Sequence, residues 1–188
     1  VSAANFSFYG SVDTSAKNGK TGTFLLDPAY LEIIDGAGPG DQDNNLPTID
    51  WTVVDTPNNT ISEQALEAIA VNTDIYLYAD DYITLNNLSD NLLNLQTGTG
   101  NSITMETANP AAGITFVDKN DTIKTAGGDI NITSGSLVDI GNLDAGATGT
   151  VNITANNGDV TLGSITAGNE VYITSYNGAI IDGNGAAN

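Results

Sequence analysis

Between Gly127 and Gly183, apolar and polar residues alternate in short phrases that return with altered lettering. Gly128-Asp129-Ile130-Asn131-Ile132-Thr133 is followed by Gly149-Thr150-Val151-Asn152-Ile153-Thr154 and then by Asn169-Glu170-Val171-Tyr172-Ile173-Thr174. The starts lie about 20–21 residues apart, the spacing of a repeat architecture. A second phrase runs between them: Val138-Asp139-Ile140-Gly141, Val160-Thr161-Leu162-Gly163 and Ala179-Ile180-Ile181-Asp182-Gly183. Each phrase has one face for a core and one for water. Two such strands per period, parted by Gly, Asn, Asp and Ser turns, predict one coil of a β-solenoid, an all-β parallel β-helix with coils of about 20 residues. Ile130, Ile132, Val151, Ile153, Val171 and Ile173 are expected inside, stacked about 4.8 Å apart. Thr133, Thr154 and Thr174 are expected to form an outer column beside Asn131, Asn152 and Tyr172. At this spacing the chain has room for about nine coils, a rod roughly 45 Å long.

The preceding stretch is less regular. Phe6, Phe8, Gly10 and Val12 alternate with polar residues over Asn5 to Ser15, and Thr23 to Leu26 is a buried strand stopped at Asp27-Pro28, since proline cannot donate to a ladder. Leu31 to Ile34 is a further strand. Gly36 to Pro47 reads as a long inserted loop, and Ile49 to Val54, which holds Trp51, as a return to strand. One short helix is expected over Ser62 to Val71, capped by Ser62, with Glu63 at its positive end and an Ile61/Leu66 staple. Beyond it, Ile75 and Leu77 point inward and Tyr76 and Tyr78 outward. Ile83 and Leu85 follow a turn at Asp80-Asp81. Shorter strands are expected at Leu92 to Leu95, Ile103 to Met105, Ile114 to Val117 and Ile123 to Thr125. The whole chain, 1–188, is read as one segment: irregular strands over 1–60, the helix over 61–72 and repeat coils over 73–188.

Charge narrows the function classes. The formal net charge is −19, and the only cations are Lys17, Lys20, Lys119 and Lys124. Nucleic acid and anionic membrane both require basic patches, so neither is an expected partner. Cysteine and histidine are absent, which removes disulfides and the usual transition-metal ligands. No apolar run approaches the roughly 18–20 residues of a membrane span. Val1 to Tyr9 lacks the basic start and apolar middle of a signal peptide. The repeat pattern is under way at both ends, so a segment of a longer protein is expected, with open strand edges that invite end-to-end self-association.

Three places stand in a fixed succession. Gly10-Ser11-Val12-Asp13-Thr14-Ser15 is followed by Phe24-Leu25-Leu26-Asp27-Pro28, then by Ile61-Ser62 through Leu66-Glu67-Ala68 leading into Ile75 to Ala79. This succession, with the Gly-Asp-Ile-Asn-Ile repeats after it, resembles the filamentous-haemagglutinin-like exoproteins, large bacterial adhesins exported by two-partner secretion. The resemblance covers nearly the whole chain. It implies a right-handed parallel β-helix, secreted or on the bacterial cell surface, with a role in adhesion or surface filaments. The partner it implies is a glycan or protein of a host cell, neighbouring cell or matrix.

Candidate chemistry is sparse. Lyases built on β-helices generally use an Arg or Lys on the sugar-ring proton, and this chain has no Arg. Hydrolases need carboxylates converging across about 5–10 Å. Asp80 and Asp81 are adjacent and point to opposite faces. Asp129, Asp139, Asp144, Asp159 and Asp182 stand beside turns, where each is expected to bond its own backbone. No enzyme is expected. Asp41, Asp43 and Asn45 present oxygens at alternate positions, as calcium loops do, and read either as calcium ligands or as a solvated loop of Asx-turns. The outward rings of Tyr76, Tyr78 and Tyr172 read either as partner contacts or as cross-strand pairs that stabilise a sheet by a few tenths of a kcal/mol. The reading is a non-catalytic structural or adhesive segment, with a carbohydrate-binding or polysaccharide-cleaving β-helix as the alternative.

Overall fold

The alternating residues build three parallel sheets in the structure, a computed structural model that describes residues 12–14, 16, 19–36 and 59–184. Most of the expected strand at Asn5 to Ser15, the loop after Gly36 and the strand at Ile49 to Val54 lie outside the described residues. In chain order the elements are β1 (Thr23–Leu26), β2 (Leu31–Ile34), β3 (Thr60–Ser62), α1 (Glu63–Glu67), β4 (Asp74–Ala79), β5 (Ile83–Leu85) and β6 (Leu92–Gly98). Then follow β7 (Ser102–Thr107), β8 (Ile114–Phe116), β9 (Thr122–Ala126), β10 (Asp129–Ser134), β11 (Val138–Asp139) and β12 (Asn142–Asp144). The last are β13 (Val151–Ala155), β14 (Val160–Leu162), β15 (Ile165–Thr166), β16 (Val171–Ser175) and β17 (Ile180–Asp182).

The first sheet runs β1-β4-β7-β10-β13-β16, the second β17-β14-β11-β8-β5-β2-β3 and the third β15-β12-β9-β6. From β4 to β15 each repeat therefore contributes three strands, not the two expected. The third strand carries Leu93, Ile123, Leu143 and Ile165 in register. Its later members are only two or three residues long, too short to display alternation. Nor is the period uniform. Ile75 pairs with Ile103 and Ile103 with Ile130, spacings of 28 and 27 residues, before it settles at 21 and 20 with Val151 and Val171. The longer repeats carry their extra residues in the connections 86–91 and 108–113. Among the described residues the first sheet has six strands, and these longer repeats take more chain per coil than the period behind the expected nine.

The inward register is as expected. Ile75, Leu77, Ile103, Met105, Ile130, Ile132, Val151 and Ile153 are buried, stacked through the first sheet. Val171 keeps this register, paired with Val151, and is 46% exposed on β16, the last strand of the sheet among the described residues. Outside, Asn152 donates from Nδ2 to Asn131 Oδ1 at 2.8 Å, one rung of an asparagine ladder.

The helix is shorter than Ser62 to Val71. It spans Glu63–Glu67, with Ser62 Oγ accepting from the Ala65 amide at 3.1 Å. One turn and a half cannot sustain itself on its own hydrogen bonds. Buried Leu66, with Ile61 before the helix and Ile69 after it, ties the segment to the core, and α1 packs on β6.

The aspartates also differ from expectation. Asp144 and Asp182 bond their own backbone two residues on, as expected. Asp129 and Asp159 instead accept from the amides of Thr150 and Ala179, one repeat further along, at 2.8 and 2.7 Å. Asp74 does the same for Ser102 at 2.8 Å. Asp139 pairs with Lys119 at 2.9 Å, and Lys124 with Asp144 at 3.4 Å, each joining successive repeats. These carboxylates clamp one repeat to the next, where a single-repeat view sees only a turn.

Candidate binding face

The outer face of the first sheet is where half-buried rings and carboxylates meet. Two columns run across it. One reads Leu25, Tyr76, Thr104, Asn131, Asn152, Tyr172; the next reads Tyr78, Glu106, Thr133, Thr154, Thr174. Tyr76 and Tyr78 point outward because Ile75, Leu77 and Ala79 occupy the core side of β4. Their rings meet edge to face, with centroids 6.4 Å apart and planes at 81°.

Carboxylates hold both hydroxyls. Tyr76 Oη donates to Glu106 Oε2, and Tyr78 Oη donates to Asp80 Oδ1 at 3.3 Å. The hydrogen bond to Glu106, with burial and the Glu106 charge, pushes the Tyr76 phenol up to about 12. Burial, then the charge and hydrogen bond of Asp80, raises Tyr78 as well. A shallow groove of about 400 Å³ lies against these rings, lined by Leu25, Asp27, Tyr76, Tyr78 and Asp80.

Tyr172 does not join it. It shares the column of Tyr76 but stands four ladder steps away, at the end of the sheet, bonded to Glu170 Oε2 at 2.7 Å. Tyr82 lies elsewhere, just before β5, and stacks on Tyr30, just before β2, with centroids 5.1 Å apart. Asp80 and Asp81 diverge as expected: Asp81 Oδ1 accepts from Asn109 Nδ2 at 3.4 Å, away from the tyrosines. Leu25, Asp27 and Glu106 are the residues of this face that sequence reasoning missed. Glu106 stands opposite Tyr78 only because the repeat there is 28 residues long, and a period of about 20 would not bring them together.

Two further carboxylates lie in the interior. Glu63 and Asp121 are buried, and Glu63 Oε2 and Asp121 Oδ1 have no hydrogen-bond partner. Burial, reinforced by Asp90, Asp35 and Glu67, raises Glu63 to about 7. Burial, with Asp118, Asp90 and Asp35 adding to it, raises Asp121 to about 6 against the amide hydrogen bond from Leu88. Among the described residues no three acidic side chains converge closely enough to hold a metal ion. The calcium candidates Asp41, Asp43 and Asn45 lie outside the described residues. Among the described residues, no helix is long and apolar enough to cross a membrane.

The face can therefore stack rings on a ligand and accept hydrogen bonds from it. No protein family, no curated protein and no solved structure matches this chain in sequence or fold.

Proposed function

We propose that the chain is a non-catalytic stretch of right-handed parallel β-helix within an extracellular bacterial surface adhesin or filament, secreted or held at the cell surface. The observation that carries this reading is the parallel register of the first sheet from β1 to β16, joined by the second sheet from β2 to β17 and by the third from β6 to β15. The right hand is proposed because connections between parallel strands of one sheet favour it strongly. The clamps from Asp74, Asp129 and Asp159 stiffen the stack between repeats. A stiff rod with fixed outer columns presents contacts at a distance, which is what an adhesive filament requires. The acidic composition and the resemblance to haemagglutinin-like exoproteins support the extracellular setting. The exposed end strands β15, β16 and β17 support self-association end to end, and the Tyr76–Tyr78 face supplies a partner contact.

Beads coated with the chain are expected to adhere to cultured cells or matrix under flow, and soluble chain to compete. Absence of adhesion to every cell type and matrix protein tried would sink this reading.

A second reading has one observation in its favour: paired rings over a groove with Asp27 and Asp80 on its walls also fit a polysaccharide. Release of reducing ends from a polysaccharide panel, lost in Asp27→Asn or Asp80→Asn, would establish cleavage. Saturable oligosaccharide binding without release would establish a lectin.

A further inference from the structure

We propose that the groove between Tyr76, Tyr78, Asp27 and Asp80 binds the arginine side chains of an extended basic segment in a partner protein. This rests on the adhesive reading and names the kind of partner that reading leaves open.

Donors and acceptors in the groove select the ligand. Leu25, Asp27, Tyr76, Tyr78 and Asp80 line the groove, and both tyrosine hydroxyls already donate to carboxylates. The side chains that remain offer acceptors and ring faces. A sugar hydroxyl both donates and accepts, so an acceptor-only wall satisfies half of it. A guanidinium carries five N–H donors and no acceptor, which is the complement of this wall. It also lies flat on a tyrosine face while forking to a carboxylate, a combination that ammonium does not match.

Charge agrees. Asp27 and Asp80 line the groove and Glu106 stands behind Tyr76, while both ion pairs among the described residues lie elsewhere, at Lys119–Asp139 and Lys124–Asp144. Hydrogen bonding of the phenols to carboxylates enriches the ring faces in electron density, which strengthens their attraction for a cation. The sheet beneath holds the rings: Tyr76 is paired on both sides, with Leu25 and Thr104, and Tyr78 with Glu106, so the two rings are in place before a ligand arrives.

The test is calorimetric titration of the chain, at about physiological salt, with a short peptide of alternating glycine and arginine. A matched peptide carrying citrulline, the uncharged isostere, is the comparison. Saturable binding of the arginine peptide is expected, with none of the citrulline peptide. Tyr78→Ala and Asp80→Asn should each weaken it about fivefold or more, and Tyr78→Phe should retain it. Asp182→Asn, which removes the same charge from β17, should leave it unchanged; melting curves of all variants verify folding. Equal weakening by Asp182→Asn would reduce the effect to the diffuse field of an acidic protein and overturn the proposal. So would the absence of binding, or tighter Tyr78-dependent binding of a neutral hexasaccharide. Bead adhesion that persists while the peptide fails removes this inference alone; peptide binding without adhesion removes the adhesive reading.

Discussion

The hydroxyl of Tyr76 donates to Glu106, although the residue that Glu106 faces across the ladder is Tyr78. The bond is diagonal, within reach of a long side chain on a pleated sheet. It locks the ring whose edge-to-face contact orients Tyr78. Ionising Tyr76 beside this carboxylate is costly, which is why its phenol stands at about 12. Glu106→Gln should bring it back toward the ordinary value of about 10. Ring-carbon NMR through an alkaline titration reads this residue apart from the other tyrosines. An unmoved Tyr76 resonance in the variant would assign the shift to burial instead.

Ile153 is 1% exposed and sits between Ile132 and Ile173 in the first sheet. Ile153→Asp buries an unpaired charge and should cost on the order of 3 kcal/mol or more. Because repeats contact mainly their neighbours, the loss should spread to both adjoining repeats. Hydrogen exchange is expected to accelerate in β10 and β16 as well as β13. Unchanged melting would mean that the inward register is wrong.

The buried acids set a pH dependence. Glu63 and Asp121 have folded values of about 7 and about 6, above their unfolded ones. The folded chain therefore holds more protons than the unfolded chain across the window between, and stability falls as the pH rises through it. Below about pH 4 both states are protonated and this contribution is fully present. The urea midpoint should be higher at about pH 5 than at about pH 7.5. Glu63→Gln should raise the midpoint at the higher pH and flatten the dependence. The same dependence in the variant would assign it to overall charge.

Two glycines separate close approach from backbone conformation. A Cβ on Gly135 would overlap the Asn109 carbonyl, whereas one on Gly100 meets nothing, although Gly100 has φ +86°. Gly135→Ala must push successive repeats apart and should cost about 1–3 kcal/mol. Gly100→Ala carries only the left-handed backbone penalty of about 1 kcal/mol. Chemical denaturation of the two variants compares them directly. The reverse ranking would place the neighbouring repeat further from Gly135 than the structure has it.

Among the described residues β15, β16 and β17 are the last strands of the three sheets, and Val171, Ile180 and Ile181 are 46, 56 and 41% exposed there. Unpaired strand edges beside exposed apolar side chains invite a second chain. Repulsion between copies with a formal charge of −19 opposes this and is screened by salt. Association measured by sedimentation should strengthen as salt rises. A monomer throughout a salt series at high concentration would refute it.

Period-two alternation was enough to place most strands and to assign their inner and outer faces. Ile75 inside and Tyr76 outside follow from the pleat whatever the strand pairs with. The stacking of Ile130 on Val151 was equally legible, because two phrases of the same apolar and polar pattern in neighbouring repeats have one register that buries both. β6 and β9 were legible as strands at Leu92 to Leu95 and Ile123 to Thr125, but β12 and β15, of three and two residues, carry too little pattern to be seen, so the four were not recognised as one sheet. The partners of Asp129, Asp159 and Glu106 stayed hidden too. Each bonds across a repeat whose length varies between 20 and 28 residues, and no local rule states that length. Sequence by itself determined which side chains face out on each strand. Only the tertiary structure decided which of them meet, because neighbours on a parallel sheet are set by the length of the connection between strands, and that length varies from repeat to repeat.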